Sequence, residues 1–245
     1  MQLAGGMRAA LQRTRAEQSG MTLIELMIGM SIALVVTFAS FAVLERATSA
    51  SHEIADRQDA IQRGRLAMET MTRQLRSQVC LGETAEPISY GDGSTVTFYA
   101  DLSDGSRNVT RRRLTYLAPT ATAPGKILEE LFEGSGTYPD LEFGATPTTT
   151  RVLLSGADQV RSGDDVAEPV FRYYAFQPGS PTGDLQELAT PLTAEDASRT
   201  IMVHIEFVAL PERPRPRNED ATTLEDSVYV RIADPTRPLE GPRCL

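Results

Sequence analysis

The sequence has few of the residues on which metal and redox chemistry depend. Among its 245 residues there is no tryptophan, and there are only two histidines and two cysteines. Cys80 and Cys244 do not form a Cys-x-x-Cys pair, and neither has a histidine nearby in the sequence. This excludes the usual cysteine-based metal clusters and redox motifs. We therefore expect no cofactor and no metal site.

Catalytic motifs are missing as well. The sequence contains no Gly-x-Ser-x-Gly, no His-Glu-x-x-His and no glycine-rich phosphate-binding loop. His52 falls on the polar side of a predicted helix and His204 in the middle of a predicted strand, positions at which a histidine is more often solvated or structural than catalytic. We therefore predict that the chain is not an enzyme and has no catalytic residues. An exported, membrane-tethered enzyme is the alternative.

Two pairs of acidic residues, Asp101/Asp104 and Asp164/Asp165, are the remaining candidates for binding a metal ion. Neither pair follows the spacing of an EF-hand loop. Because aspartate is common in turns, we expect these side chains to be turn residues. The sequence leaves calcium binding at either pair open.

The charge is unevenly distributed along the chain. The net charge is −9, but residues 1–20 contain three arginines and one glutamate, so residues 21–245 carry −11. An acidic surface repels phosphate backbones, which argues against nucleic acid as a default partner. Positively charged residues next to a membrane segment tend to stay in the cytoplasm. The basic N-terminus is therefore expected to remain cytoplasmic, and the C-terminal part to be exported across the membrane.

One long apolar segment follows the basic start. Residues 26–44 are 19 uncharged residues, which as a helix span about 28 Å, close to the hydrocarbon thickness of a bilayer. Glu25 immediately precedes this segment. Inserting a carboxylate within an apolar membrane segment costs roughly 2.5–3.5 kcal/mol, so such a residue is interpreted as a functional group that requires a partner. The alternative is that Glu25 lies at the headgroup boundary.

The apolar segment and the residues after it are predicted to form one helix. There is no proline from Met21 to Leu81, and apolar residues recur every seven positions in the second half of this stretch, at Ile54, Ile61, Met68 and Leu75. This pattern predicts a transmembrane segment at 21–44 and an amphipathic segment at 45–81 that packs on the protein's own sheet. Gly82 is the expected end of the helix.

Residues 82–245 have the texture of a β-rich domain, with short β-prone runs between Gly, Pro, Asp and Ser. Strands are predicted near residues 95–100, 111–117, 126–132, 151–154, 170–176, 200–210 and 227–232. Helical patterns between these runs are lacking, so the strands should pair antiparallel. Residues 119–125 and 134–150 are interpreted as variable surface, and the proline- and arginine-rich stretch 211–217 as a connector of the last two strands.

The residues around Glu25 resemble a known signature. The run Gly-Met-Thr-Leu-Ile-Glu-Leu-Met, residues 20–27, resembles the type IV prepilin signature, although that family most often has Phe where this chain has Met21. The resemblance implies that a prepilin peptidase cuts after Gly20 and removes the leader 1–20. It also implies that Met21 is N-methylated and that Glu25 acts in fibre assembly.

Looser similarities extend into the C-terminal half. Residues 171–174, 188–192, 201–208 and 222–231 resemble the layout of large minor pilins of the PilW type and of J-type minor pseudopilins of type II secretion. The resemblance implies an α+β, pilin-like fold in which a long N-terminal helix packs on an antiparallel sheet. It also implies a minor subunit that partners other pilins or pseudopilins and is held in the cytoplasmic membrane by a single span before assembly, with the domain outside. The sequence does not distinguish pilus from secretion pseudopilus, and a tip adhesin or DNA-capture subunit is the alternative.

Other interpretations of the N-terminal region stay open. An ordinary secretory signal would be cleaved near the small residues 48–50, although the apolar run is longer than the usual 7–15 residues of such signals. An unprocessed single-pass anchor is a second alternative.

The two cysteines of an exported domain suggest one disulfide. A bond between Cys80 and Cys244 would close a loop of about 165 residues and stabilise the fold by about 4–5 kcal/mol on the chain-entropy model. Two separate free thiols are the alternative.

Overall fold

The computed structural model describes residues 21–81, 86–103, 108–163, 165–177, 183–211 and 221–230. The chain forms two compact units, Met1–Glu53 and Ile54–Leu245. The long helix α1, Leu23–Arg76, contributes its first part to one unit and its last part to the other. This helix followed by an antiparallel β domain confirms the predicted α+β, pilin-like arrangement.

The second unit contains eleven strands and one short helix within the residues that the structure describes. The strands are β1 (Ile88–Gly91), β2 (Thr95–Asp101), β3 (Val109–Leu117), β4 (Lys126–Thr137), β5 (Asp140–Phe143), β6 (Thr149–Ser155), β7 (Ala157–Asp158), β8 (Phe171–Phe176), β9 (Leu185–Glu187), β10 (Met202–Ala209) and β11 (Thr222–Tyr229). The short helix α2, Ala194–Arg199, lies between β9 and β10 in the chain.

The strands form two sheets in which every pairing is antiparallel. The first sheet has the order β1-β2-β3-β4-β5, with β6 also paired to β4. The long strand β4 accommodates both partners because its first half pairs with β6 and its last four residues pair with β5. The second sheet has the order β11-β10-β8-β9, with β7 also paired to β10.

Gly156 allows the chain to pass from the first sheet to the second. β6 belongs to the first sheet and β7 to the second. Gly156 between them has φ +84°, a backbone conformation that residues other than glycine rarely adopt. A Cβ atom at Gly156 would lie 2.7 Å from the carbonyl oxygen of Leu210. The backbone turn and the close approach therefore both require glycine here.

The apolar core joins the last part of α1 to both sheets. Its buried side chains include Met71 and Leu75 of α1, and Phe98 and Leu114 of the first sheet. In β10 every second side chain faces the core and is fully buried: Val203, Ile205 and Phe207, with Ile201 just before the strand.

A buried carboxylate ties α1 to the first sheet. Glu129 in β4 is 3% exposed and accepts a hydrogen bond of 2.7 Å from Nε2 of Gln74 in α1. It also accepts from Arg112 in β3, at 2.5 Å, and from Arg151 in β6. One carboxylate therefore joins four elements of the fold. Its charge is balanced within the interior, as a buried charge requires.

The turn between β1 and β2 holds the two sheets together. Asp92 in this turn accepts hydrogen bonds from the amides of Ser94 and Thr95, both at 2.7 Å. Tyr173 in β8 donates its buried hydroxyl to the carbonyl oxygens of Asp92 and Thr95. Burial acts to raise the pKa of Asp92, but hydrogen bonds from Tyr90 and from Ser94 and Thr95 hold that pKa below its ordinary value. The carboxylate form is therefore the one that the turn stabilises.

The predicted helix end at Gly82 is wrong, because α1 ends at Arg76. Gln78 instead forms an antiparallel bridge with Ala100, at the end of β2. On either side of this bridge, Asp101 donates its amide to the carbonyl of Ser77, and Val79 donates its amide to the carbonyl of Tyr99. Pairing with β2 satisfies backbone groups of Ser77 and Val79 that a helix would otherwise have used, so tertiary contact overrides helix propensity here.

The buried stripe of α1 is shorter than the heptad pattern predicts. Met68 and Leu75 are buried and Ile61 is half-buried, but Ile54 is 60% exposed. The contact with the sheets begins at Ala60, and Gly64 allows the closest approach. A Cβ atom at Gly64 would lie only 2.4 Å from Leu224 in β11.

Several elements were not predicted. The stretch 134–150, interpreted as variable surface, contains the end of β4, all of β5 and the start of β6. The short helix α2 was also missed, although Thr193 caps it by accepting the amide of Asp196 at 3.1 Å. Strand β11 begins at Thr222, five residues before the predicted start. The connector predicted at 211–217 lies outside the described residues except for Pro211.

Replacing Glu129 should reveal how much the fold depends on its charge. We expect Glu129→Gln to lower the free energy of unfolding by about 3–5 kcal/mol, because the buried charge of Arg112 would lose its partner. The matched control is Glu130→Gln, whose partly exposed ion pair with Arg113 at 3.3 Å is worth at most about 1 kcal/mol. Urea denaturation of the full chain measures both changes. Equal losses in the two variants would contradict a special role for Glu129.

Candidate functional site

The start of α1 is organised by Thr22. The first helical residue is Leu23, and the side-chain oxygen of Thr22 accepts the backbone amide of Glu25 at 3.3 Å, while its carbonyl accepts the amide of Leu26 at 3.1 Å. Thr22 is therefore the N-cap of the helix, and Glu25 is the third helical residue. Threonine followed three residues later by glutamate is the sequence pattern of a capping box.

Glu25 therefore lies in the first turn of α1. A negative side chain there interacts favourably with the partial positive charge of a helix N-terminus. Among the residues that the structure describes, the carboxylate of Glu25 has no cationic partner. The capping position accounts for how a carboxylate is held next to the apolar segment, and it leaves the charge available to a cation outside the helix.

The apolar segment that follows is exposed along its whole length. Every large apolar side chain from Met21 to Leu44 is at least 51% exposed. Burying such surface is worth about 25 cal/mol per Å², so this segment is stable only when another apolar medium covers it. By length and composition α1 can cross a membrane.

The few polar groups of this segment are satisfied within the helix. Its three hydroxyl groups each donate to the carbonyl oxygen four residues earlier: Ser31 to Met27 at 2.9 Å, Thr37 to Ala33 at 2.7 Å and Ser40 to Val36 at 2.9 Å. In lipid, which offers no hydrogen bonds, polar groups must be satisfied internally. The segment therefore presents a uniformly apolar surface from Leu26 to Leu44.

The histidines and acidic pairs considered in the sequence form no reactive cluster in the described part of the chain. The Nδ1 atom of His204 in β10 lies 3.0 Å from the hydroxyl of Ser227, and its Nε2 atom lies 4.0 Å from Glu206. Asp101 accepts the amide and hydroxyl of Ser103 and so acts as a turn residue. No group of three potential metal ligands occurs among these residues. Asp104 and Asp164 lie outside the described residues.

Cys80 follows the end of α1 in the segment that extends along β2. It is half-buried, and its carbonyl oxygen accepts a hydrogen bond of 3.3 Å from the hydroxyl of Tyr138, in the turn between β4 and β5. Cys244 and the cleavage residue Gly20 lie outside the described residues. The structure thus places Met21 and Glu25 together at the start of α1, while the disulfide stays a prediction.

Sequence reasoning missed the interaction of Glu129 with the two arginines. A signal was present, because Glu129 is two residues from Ile127 and from Leu131 and so lies on the same face of β4 as these apolar side chains. A glutamate in such a position requires a buried cation. The partners come from other strands, so periodicity within one strand does not identify them.

Residues 15–41 match the family described as the prokaryotic N-terminal methylation motif. The match includes the Gly20–Met21 junction, the cap residue Thr22 and Glu25. No curated protein matches the chain. The motif indicates a type IV pilin-like protein, and it implies processing by prepilin peptidase and assembly with other pilins. Together with the exposed apolar segment it indicates membrane anchoring.

The cysteine pairing can be tested directly. If Cys80 and Cys244 are bonded, the oxidised full chain should migrate faster than the reduced chain on a denaturing gel, because a closed loop is more compact. Peptide mapping should recover one cross-linked fragment that contains both residues. As a control, Cys80→Ser should remove the mobility difference. Two alkylatable thiols in the oxidised native protein would disprove the bond.

Proposed function

We propose that the chain is a minor subunit of a type IV pilus or of a type II secretion pseudopilus, with a structural role in initiating the fibre or occupying its tip. The observation that carries this proposal is the methylation motif at residues 15–41. It is followed by a capped helix whose exposed apolar surface must be buried in lipid or against other helices. The globular domain, with eleven strands in its described part, is large for a subunit that is stacked in high copy. This supports a role at low copy number.

Processing is the first step of the proposed function. Prepilin peptidase hydrolyses the peptide bond after Gly20, which frees the α-amino group of Met21 for methylation. Met21 and Thr22 precede the first helical residue, Leu23, so the new terminus is two residues from the helix start. Cleavage removes the basic leader and leaves a single positive charge, the terminal ammonium, close to Glu25 in sequence.

Assembly is the second step. In lipid the carboxylate of Glu25 interacts only with its own helix start. In a bundle of parallel helices it can meet the terminal ammonium group of a neighbouring subunit. Since removing one member of a buried ion pair typically costs 3–5 kcal/mol, this pairing favours the fibre over the membrane. The same contact defines the axial offset between subunits.

Export of the domain follows from the charge asymmetry. The arginines of the leader favour a cytoplasmic N-terminus, which directs the acidic domain to the outside of the membrane. The proposed role is structural rather than enzymatic. A tip adhesin or a DNA-capture subunit is the alternative, and binding of the purified full chain to surfaces or DNA distinguishes it.

Mass spectrometry of the membrane-bound protein tests the processing step. We expect a mature chain that begins at Met21 with a methylated α-amino group. Gly20→Ala should be processed far better than Gly20→Leu, because a small residue is needed at the cleaved bond. A mature terminus near Ser51 would instead identify an ordinary secretory signal and disprove the proposal.

Substitution of Glu25 tests the assembly step. Glu25→Ala should leave membrane insertion, cleavage and the folded domain unchanged but strongly reduce incorporation into sheared fibres, measured by immunoblot. Glu25→Gln separates the two roles of the side chain, because glutamine also completes a capping box but cannot pair with an ammonium group. We expect it to fail in assembly as alanine does.

The matched control is Glu45→Gln, at an exposed position of the same helix beyond the apolar segment. It should be incorporated at the wild-type level. Wild-type incorporation of Glu25→Ala and Glu25→Gln would show that Glu25 lies at the headgroup boundary and has no role in assembly.

A further inference from the structure

A cleft rich in arginine lies beside the last turns of α1. It has a volume of about 320 Å³, and its charged and amide lining is provided by Arg73 and Gln74 of α1, Arg112 of β3, Glu129 of β4 and Arg151 of β6, with the hydroxyl residue Thr149 beside them. We call it the arginine cleft. All of these residues belong to the second unit of the chain, so the cleft is independent of the N-terminal motif.

The arginine cleft has a surplus of positive charge. Three guanidinium groups face one carboxylate, and Glu129 uses only Nη1 of Arg112 and Nε of Arg151. Arg73 is exposed and forms no ion pair with any described residue. Burial lowers the pKa of Arg112, Glu129 opposes this effect, and the positive charge of Arg151 adds to the lowering. The cleft therefore contains more positive than negative charge.

A second feature of the cleft is an unused acceptor. Gln74 is 2% exposed and donates Nε2 to Glu129, which leaves its Oε1 atom without a hydrogen-bond partner among the described residues. A buried acceptor without a donor is destabilising. An occupant that combines an anionic group with an N–H or O–H donor is therefore the best chemical complement to these groups. A peptide segment carries both, whereas a fully ionised inorganic anion carries no donor.

The charges around the cleft favour a carboxylate over a polyphosphate. The chain as a whole carries −9, and this charge repels long polyanions such as nucleic acids. Glu129 in the wall of the cleft adds a local repulsion that grows with the charge of the ligand. A single planar carboxylate suffers least from both effects, and it matches the bidentate geometry of a guanidinium group.

We propose that the arginine cleft is a docking site for an acidic side chain of a partner protein. Arg73 and Arg151 form ion pairs with the bound carboxylate. Arg73 supplies an uncommitted guanidinium group, and Arg151 is held in place by its bond to Glu129. The cleft thereby couples binding of the partner to the junction of α1 and the first sheet.

The probe for this proposal is an N-acetylated, C-amidated peptide with a single glutamate flanked by glycine and serine and a neutral fluorophore, titrated against the full chain in nonionic detergent at low salt. Fluorescence anisotropy should show saturable binding, and Arg73→Glu should weaken it at least tenfold because one attractive charge is replaced by a repulsive one. Arg73→Ala should weaken it by a smaller factor. Thermal unfolding should be unchanged in both, since Arg73 bonds to no described residue.

The matched control is Arg65→Glu, which makes the same charge change at an exposed position of α1 outside the cleft. It should change affinity less than twofold. Equal losses for Arg65→Glu and Arg73→Glu would show diffuse charge attraction and overturn the proposal. Inorganic phosphate or double-stranded DNA displacing the peptide at lower concentration than the unlabelled glutamate peptide would assign the cleft to phosphate ligands instead.

Discussion

The junction of α1 with the β domain depends on one buried carboxylate. Glu129 receives Gln74 from the helix and two arginines from neighbouring strands, so helix position and strand register are specified by the same group. Apolar packing alone is not directional. The hydrogen bonds to Glu129 supply the direction, because only one rotation of α1 places Gln74 over β4.

The two parts of α1 meet opposite physical requirements. From Ala60 onward its inward face is buried against the protein's own sheets, and Gly64 sets the distance of closest approach. From Met21 to Leu44 the large apolar side chains are exposed in every direction. One continuous helix therefore combines a segment that is complete within the chain with a segment that is completed only by lipid or by other helices.

The sequence predicts the parts of this structure that repeat. Periodicity along the chain identified the long helix and most of the strands, and the signature around Glu25 agrees with the methylation motif matched at residues 15–41. It could not identify contacts between distant residues. The end of α1 at Arg76 depends on β2, and β5 depends on pairing with the last residues of β4. Glu129 and its arginines converge only through the sheet, so no local pattern announces them.

The hydroxyl groups of Ser31, Thr37 and Ser40 have a consequence for reversibility. Each is bonded to its own helix, so none has to exchange partners when the surroundings of the segment change. A helix of this kind can pass between a lipid solvent and a bundle of neighbouring helices without breaking an internal hydrogen bond. In the proposed assembly these hydroxyl groups therefore add no hydrogen-bond cost to leaving lipid or to re-entering it, and Glu25 is the polar group whose partner changes between the two surroundings.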